Sequence, residues 1–252
     1  MKKLLILTGL IIVTLRLVAG DNVEARKIYE SSKEKLSLKN VHLVLDLQTF
    51  DAKGNEKTKS MKVSFAQFGD EKKVMVEVTA PENINGTKIL TTDSKDQRGV
   101  IEIYMPATGK IQKIRASQRN LKMLGSEIPI NQFSSVISAG TNMDIVGKQE
   151  INGVQCHVIK MQKDDENEYD MAFVSVDSEQ LLRLETFDSK GKLTTQTDLS
   201  DYMKVRGTEA KMYPREIEVK NFKSGKSSRL HVVQLEYLTN VNIDDFKLVS
   251  AS

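Results

Sequence analysis

From Leu43 onward, apolar and polar positions alternate with a period of two. Leu43, Leu45 and Leu47 interleave with Val44, Asp46 and Gln48; Val74, Val76 and Val78 with Met75 and Glu77; Ile101, Ile103 and Met105 with Glu102 and Tyr104. The pattern returns over 154–161, 171–176, 181–187, 211–222 and 229–238. Successive strand side chains point to opposite faces, so this alternation predicts strands with one buried face. Turn signals separate the runs: Ala52-Lys53-Gly54-Asn55, Phe68-Gly69-Asp70-Glu71, Asn152-Gly153, Ser189-Lys190-Gly191 and Ser224-Gly225-Lys226. Short glycine-containing loops join antiparallel neighbours, and roughly ten or eleven strands in one long meander are expected.

Two segments depart from this period. Residues 21–38 read as a helix, with Val23, Ile28, Leu36 and Leu38 as its apolar stripe, charged residues including Lys33 between them, and Asp21 as the cap. Residues 116–143 break the alternation, and 131–137 within them read as a short helix or ordered loop. An interruption this long inside a meander is more often a functional loop or lid than a connector. A sheet that curls around the helix and this insert forms an open barrel with an apolar concave surface.

The first twenty residues carry a different message. Lys2 and Lys3 precede an apolar run over 4–15, and Val18-Ala19-Gly20 supplies small residues for cleavage. This is the pattern of a secretory signal peptide, which leaves 21–252 as one domain. No cysteine stands near the cut, so a free, non-lipidated periplasmic protein is expected. Cleavage removes three of the 37 basic residues and none of the 34 acidic ones, which takes the net charge to zero. A balanced chain argues against nucleic acid as a partner.

Recognisable catalytic chemistry is sparse. His42, His157 and His231 are far apart and fall in no metal-binding spacing, so neither metal nor cofactor is expected. Cys156 adjoins His157, but neighbouring strand residues face opposite ways, and an inert buried thiol is the reading. Asp164-Asp165-Glu166-Asn167-Glu168 lacks the glycine and the spaced glutamate of a calcium loop and reads as a solvated hairpin tip. Thr49-Phe50-Asp51-Ala52-Lys53-Gly54 and Thr186-Phe187-Asp188-Ser189-Lys190-Gly191 nearly repeat, which reads as shared hairpin chemistry. No nucleophile elbow, phosphate loop or dinucleotide fingerprint occurs, and an enzyme is not expected.

Residues 81–126 carry a resemblance. Gly86-Thr87-Lys88-Ile89-Leu90, Tyr104-Met105-Pro106-Ala107, the basic run Lys110, Lys113, Arg115, Arg119 and Lys122, and Met123-Leu124-Gly125-Ser126 resemble the outer-membrane lipoprotein-sorting family of LolA-like periplasmic carriers. The family's Phe-Met-Gly-Ser turn is interrupted here by Leu124, and the acidic residues that often follow are replaced by Ile130-Asn131-Gln132-Phe133.

The resemblance implies an α+β fold: an open half-barrel whose concave face is covered by an N-terminal helix and a helical insert. It also implies a soluble carrier that shields the acyl chains of lipoproteins or lipids. The other reading is a sensor domain of the same fold that signals through a protein partner. Leu43, Leu45, Leu47, Val63, Phe65, Val76, Ile89, Ile101, Ile103 and Met105 become the cavity candidates. Lys110 to Lys122 become a charged rim for headgroups or a partner. Met123, Leu124, Ile128, Ile130 and Phe133 become the lid. An inner-membrane release complex, an outer-membrane acceptor and transient membrane contact would complete the partners.

Overall fold

The computed structural model describes residues 22–94, 100–115, 122–128, 140–163, 167–208 and 211–248. One helix and thirteen strands account for most of them, two or three strands more than the alternation alone predicts. Helix α1 spans Val23–Leu36. Strands β1 (Val41–Phe50), β2 (Glu56–Phe68), β3 (Glu71–Ala80), β4 (Lys88–Asp93), β5 (Val100–Met105) and β6 (Lys110–Arg115) follow. After the insert come β7 (Thr141–Ile151), β8 (Val154–Lys163), β9 (Tyr169–Ser175) and β10 (Leu181–Phe187). The last are β11 (Leu193–Lys204), β12 (Met212–Asn221) and β13 (Lys226–Tyr237).

All thirteen strands form one open antiparallel sheet in the order β6-β5-β4-β3-β2-β1-β13-β12-β11-β10-β9-β8-β7. Each half is a meander, as the hairpin signals predict, but the halves are joined differently from a simple run. The first strand pairs with the last, Val41 opposite Tyr237 and Phe50 opposite Ser227, so β1 and β13 form the centre of the sheet. Its two edges, β6 and β7, are consecutive in sequence. The insert between them therefore connects one edge to the other. It is shorter than the loss of alternation predicts, because β7 already begins at Thr141.

The helix lies on the face that carries Val41, Leu43, Leu45 and Leu47, and its Ala25, Tyr29 and Leu36 join the same core. Among the described residues it packs chiefly against β7, β9, β10 and β12, in one half of the sheet. Arg26 Nη2 donates to the Thr141 carbonyl at 2.6 Å, and Ser31 Oγ donates to Glu179 Oε2 at 2.6 Å. Two details differ from the sequence expectation. Asn22 is the cap, its Oδ1 accepting from the Glu24 and Ala25 N–H groups, while Asp21 lies outside the described residues. Val23 is 80% exposed, and the buried stripe is Ala25, Tyr29, Ser32, Lys33 and Leu36. That stripe keeps helical spacing but uses small and amphipathic residues.

On the opposite, convex face the polar side chains pair with one another. Arg183 Nε lies 2.6 Å from Asp198 Oδ1, Ser60 Oγ donates to Asp46 at 2.6 Å, and His231 pairs with Glu216. Two small apolar clusters interrupt this face. One surrounds Cys156, Val158 and Phe173; the other is Ala66 and Leu90 beneath Phe246, whose ring meets Phe68 edge-on at 5.7 Å.

Candidate functional site

Strand register assembles the cavity candidates. Leu43 pairs with Val63, Val63 with Val76, Val76 with Ile89 and Ile89 with Ile103, an apolar row across five strands. A parallel row runs from Val41 through Phe65, Val74 and Thr91 to Ile101. Leu45, Leu47 and Met105 have the same strand parity, so all ten named residues share the concave face. Met61, Val74, Val78 and Thr91 join them there, although the sequence reading does not single them out for the site.

Burial along these rows is uneven. Leu47 is 0% exposed and Leu43, Leu45 and Val63 are each 2% exposed, so these are core. Val74, Val76, Ile89, Ile103 and Met105 are only half-buried, while Ile101 returns to the buried class at 6%. The helix covers the other half of the sheet. The wing β3–β5 thus presents aliphatic side chains on a concave surface that the described residues cover incompletely.

The row ends where β6 begins. Ile103 faces Gln112 and Met105 faces Lys110, both exposed. Lys110 therefore stands on the rim of the concave face. Lys113 does not: it pairs across strands with Glu102 on the convex side, its Nζ 3.6 Å from that carboxylate. Arg115 lies on β6 opposite Val100, and Arg119 lies outside the described residues. Lys110 and Lys113 thus fall on opposite faces of the sheet.

Two turns of the signature segment touch each other. Gly86 has φ +76°, and a Cβ there would stand 3.2 Å from Pro106 Cγ. Its N–H donates to the Val78 carbonyl at 2.8 Å, which closes the turn between β3 and β4. Only glycine meets both demands, the left-handed backbone and the close approach. The Gly-Thr and Tyr-x-Pro-Ala elements of the resemblance are therefore two sides of one packing contact.

The start of the insert is fastened onto the concave face. Leu124 (φ +46°) and Gly125 (φ +79°) turn the chain sharply, and Ser126 N–H returns to the Met123 carbonyl at 2.8 Å. Lys59 Nζ donates to the Leu124 carbonyl at 3.0 Å, and Glu127 N–H donates to Ser228 Oγ at 2.8 Å. The Glu127 carboxylate is buried and accepts from Asn221 Nδ2 at 2.8 Å and from Lys122 Nζ at 2.5 Å. Ile128 is 0% exposed in the main core, with Met123 and Leu124 packed beside it. The named lid residues Met123, Leu124 and Ile128 are thus seated here. Ile130, Phe133 and the short helix or ordered loop expected over 131–137 lie outside the described residues. Lys59, Asn221, Glu127 and Ser228 escape sequence reasoning, because nothing local links β2, β12 and β13 to the insert.

Burial pushes the Tyr213, Tyr202 and Tyr29 phenols well up, the last helped by the charge of Asp170. Burial lowers Lys33 to about 8. Burial likewise pushes the Cys156 thiol up, and register sends His157 to the other face of β8. Among the described residues no group of three or more His, Cys, Asp or Glu side chains is placed to hold a metal ion. Asp164, Asp165 and Glu166 of the acidic string fall outside those residues. Among the same residues no helix is long and apolar enough to cross a membrane.

Residues 70–249 match the model of a family described as "-like: Uncharacterized protein". No curated protein matches the chain by sequence. Several solved structures match its fold. A domain from Vibrio parahaemolyticus assigned to outer-membrane lipoprotein sorting superposes with a TM-score of 0.70 at 17% identity, covering 88% of this chain and 96% of that one. A DUF1329 family protein from Desulfovibrio piger gives 0.71 at 17%, with 90% and 98% covered. A LolA superfamily protein from Nitrosomonas europaea gives 0.64 at 17%, with 89% and 97% covered. At such identities the likeness establishes the architecture: an open, unclosed antiparallel sheet with an N-terminal helix on its concave side.

Proposed function

Because the chain belongs to the family whose model spans residues 70–249 and has the LolA-like fold, we propose that it is a periplasmic carrier for acyl chains of lipoproteins or lipids. The observation that carries this reading is the graded apolar row Leu43–Val63–Val76–Ile89–Ile103, sealed at β1 and half-open at β3–β5. Hydrocarbon placed on the open end leaves water without displacing the sealed core. Each buried CH₂ contributes about 0.8 kcal/mol, so a sixteen-carbon chain resists passage through water by roughly 12 kcal/mol. A concave aliphatic surface lowers that barrier by shape and dryness alone, with no bond made or broken. Lys110 at the rim supplies one cation where a headgroup would emerge.

Native mass spectrometry of the protein recovered from its producing cell tests the reading. Acylated species should co-purify and exchange with added labelled lipid. Protein that is always empty and takes up no labelled lipid would overturn it.

A further inference from the structure

Three neighbouring hairpin tips present the same chemistry, and the carrier reading uses none of them. The order β2-β1-β13-β12-β11-β10 sets the β1–β2, β12–β13 and β10–β11 turns side by side at one end of the sheet. Ala52 Cβ lies 3.3 Å from where a Cβ on Gly225 would stand, and Phe222 N–H donates to the Thr194 carbonyl at 2.9 Å.

In each turn a short polar side chain is taken up by the backbone. Asp51 Oδ1 accepts from the Lys53 and Asn55 N–H groups at 2.8 and 2.9 Å. Asp188 Oδ1 accepts from Lys190 and Lys192 at 3.0 and 2.9 Å. Asn221 Oδ1 accepts from Lys223 and Ser224, both at 3.0 Å. The residue two places on is lysine every time: Lys53, Lys190 and Lys223. Lys192 and Lys226 stand on the same tips. All five are exposed, and none of their ammonium groups is held in an ion pair among the described residues. Asp188 feels the charges of Lys190 and Lys223 without a close pair, Glu127 is taken by Asn221 and Lys122, and Glu56 is engaged by Gln48 and Thr58. Phe222, in the middle tip, is 47% exposed, an aromatic ring on an otherwise polar turn.

We propose that these three tips are a docking surface for an anionic lipid bilayer. Hairpins two strands apart stand about 10 Å from one another, so the lysines form a spaced rank across the end of the sheet. Flexible ammonium groups suit phosphates that move laterally. The five basic side chains are all lysine, the cation depleted from protein interfaces, where arginine is preferred. A ring flanked by lysines matches the boundary between headgroups and acyl chains. Each lysine near such a surface strengthens partition by about five-fold, so the attachment is reversible and salt dissolves it. The rank stands at the end of the sheet where Asn221 and Ser228 hold the insert, so docking would bring that end of the concave face to the bilayer.

The test is co-sedimentation of the exported chain, with N-terminal sequencing to establish that residues 1–20 are gone. Vesicles of phosphatidylcholine alone are compared with an equimolar mixture with phosphatidylglycerol. The parent should sediment with the mixed vesicles only, and high salt should release it. The combined variant Lys53→Glu, Lys190→Glu and Lys223→Glu should weaken partition by at least about 100-fold, and Phe222→Ser by about ten-fold. If the charge-reversed chain does not fold, the three Lys→Gln changes should still weaken it by about 100-fold. Equal binding to both vesicles, or a lysine variant that binds like the parent, would overturn the proposal. A concave-face variant, Val76→Asp, should bind vesicles like the parent. Its loss of binding would assign attachment to the cavity and overturn the docking surface, while the carrier reading stood.

Discussion

Lys33 shows how one side chain can hide from a sequence reading. Flanked by Ser32 and Glu34, it looks like part of the helix's solvent face, yet it is 9% exposed. A lysine stem can fill a gap beside larger residues while its charge remains an expense. The unfolded chain keeps the proton up to an ordinary 10.5, the folded chain only to about 8. Between those values the unfolded state binds more protons, so stability rises with pH across that window. Lys33→Met should remove this rise and be more stable near neutrality, by about 3 kcal/mol at most. Urea unfolding of both chains from pH 7 to 9.5 measures it; parallel curves would refute the assignment. Gly86 is the opposite case, legible as a motif before its reason is visible. The reason lies in Pro106, reached only when β3–β4 and β5–β6 fold against each other.

Among the elements, strands with aliphatic alternation were readable and those without it were not. β11 buries Thr194, Thr197 and Leu199, and its threonines erase the hydrophobic period. Thr194 Oγ1 donates to the Thr186 carbonyl at 3.0 Å. The insert was readable as an interruption, but its anchorage was not. That anchorage depends on Glu127, which joins Lys122 and Asn221 through its side chain and Ser228 through its backbone. Glu127→Ala leaves the Asn221 amide and the Lys122 ammonium without this acceptor and should cost about 1–3 kcal/mol. Hydrogen exchange should accelerate over 122–128 and leave β1 and β13 protected. Unchanged exchange there would show that apolar packing of Ile128 holds the turn unaided.

For the whole molecule, the class of fold and the common face of the cavity candidates were legible. Burial along that face was not, because alternation marks which side chains point inward without saying how far the sheet is covered. Leu45 and Val76 look equivalent in sequence, yet Leu45 is sealed and Val76 half-open. Leu45→Asp should therefore abolish folding, whereas Val76→Asp should fold with a modest loss of stability and lose uptake of a fluorescent fatty acid. Circular dichroism with a binding titration separates the two, and retained uptake by a folded Val76→Asp chain would move the ligand elsewhere. The pairing of β1 with β13 was equally hidden, since hairpin signals speak only of neighbours. It also sets the order of events in folding. Hairpins within each half can form as they emerge, but the middle of the sheet pairs Val41 with Tyr237 and must wait until β13, nearly two hundred residues later, has been made. Contacts so distant in sequence form slowly. Until they form, Leu43, Leu45 and Leu47 have no partner strand on one side, and the nascent chain is at its most prone to aggregate.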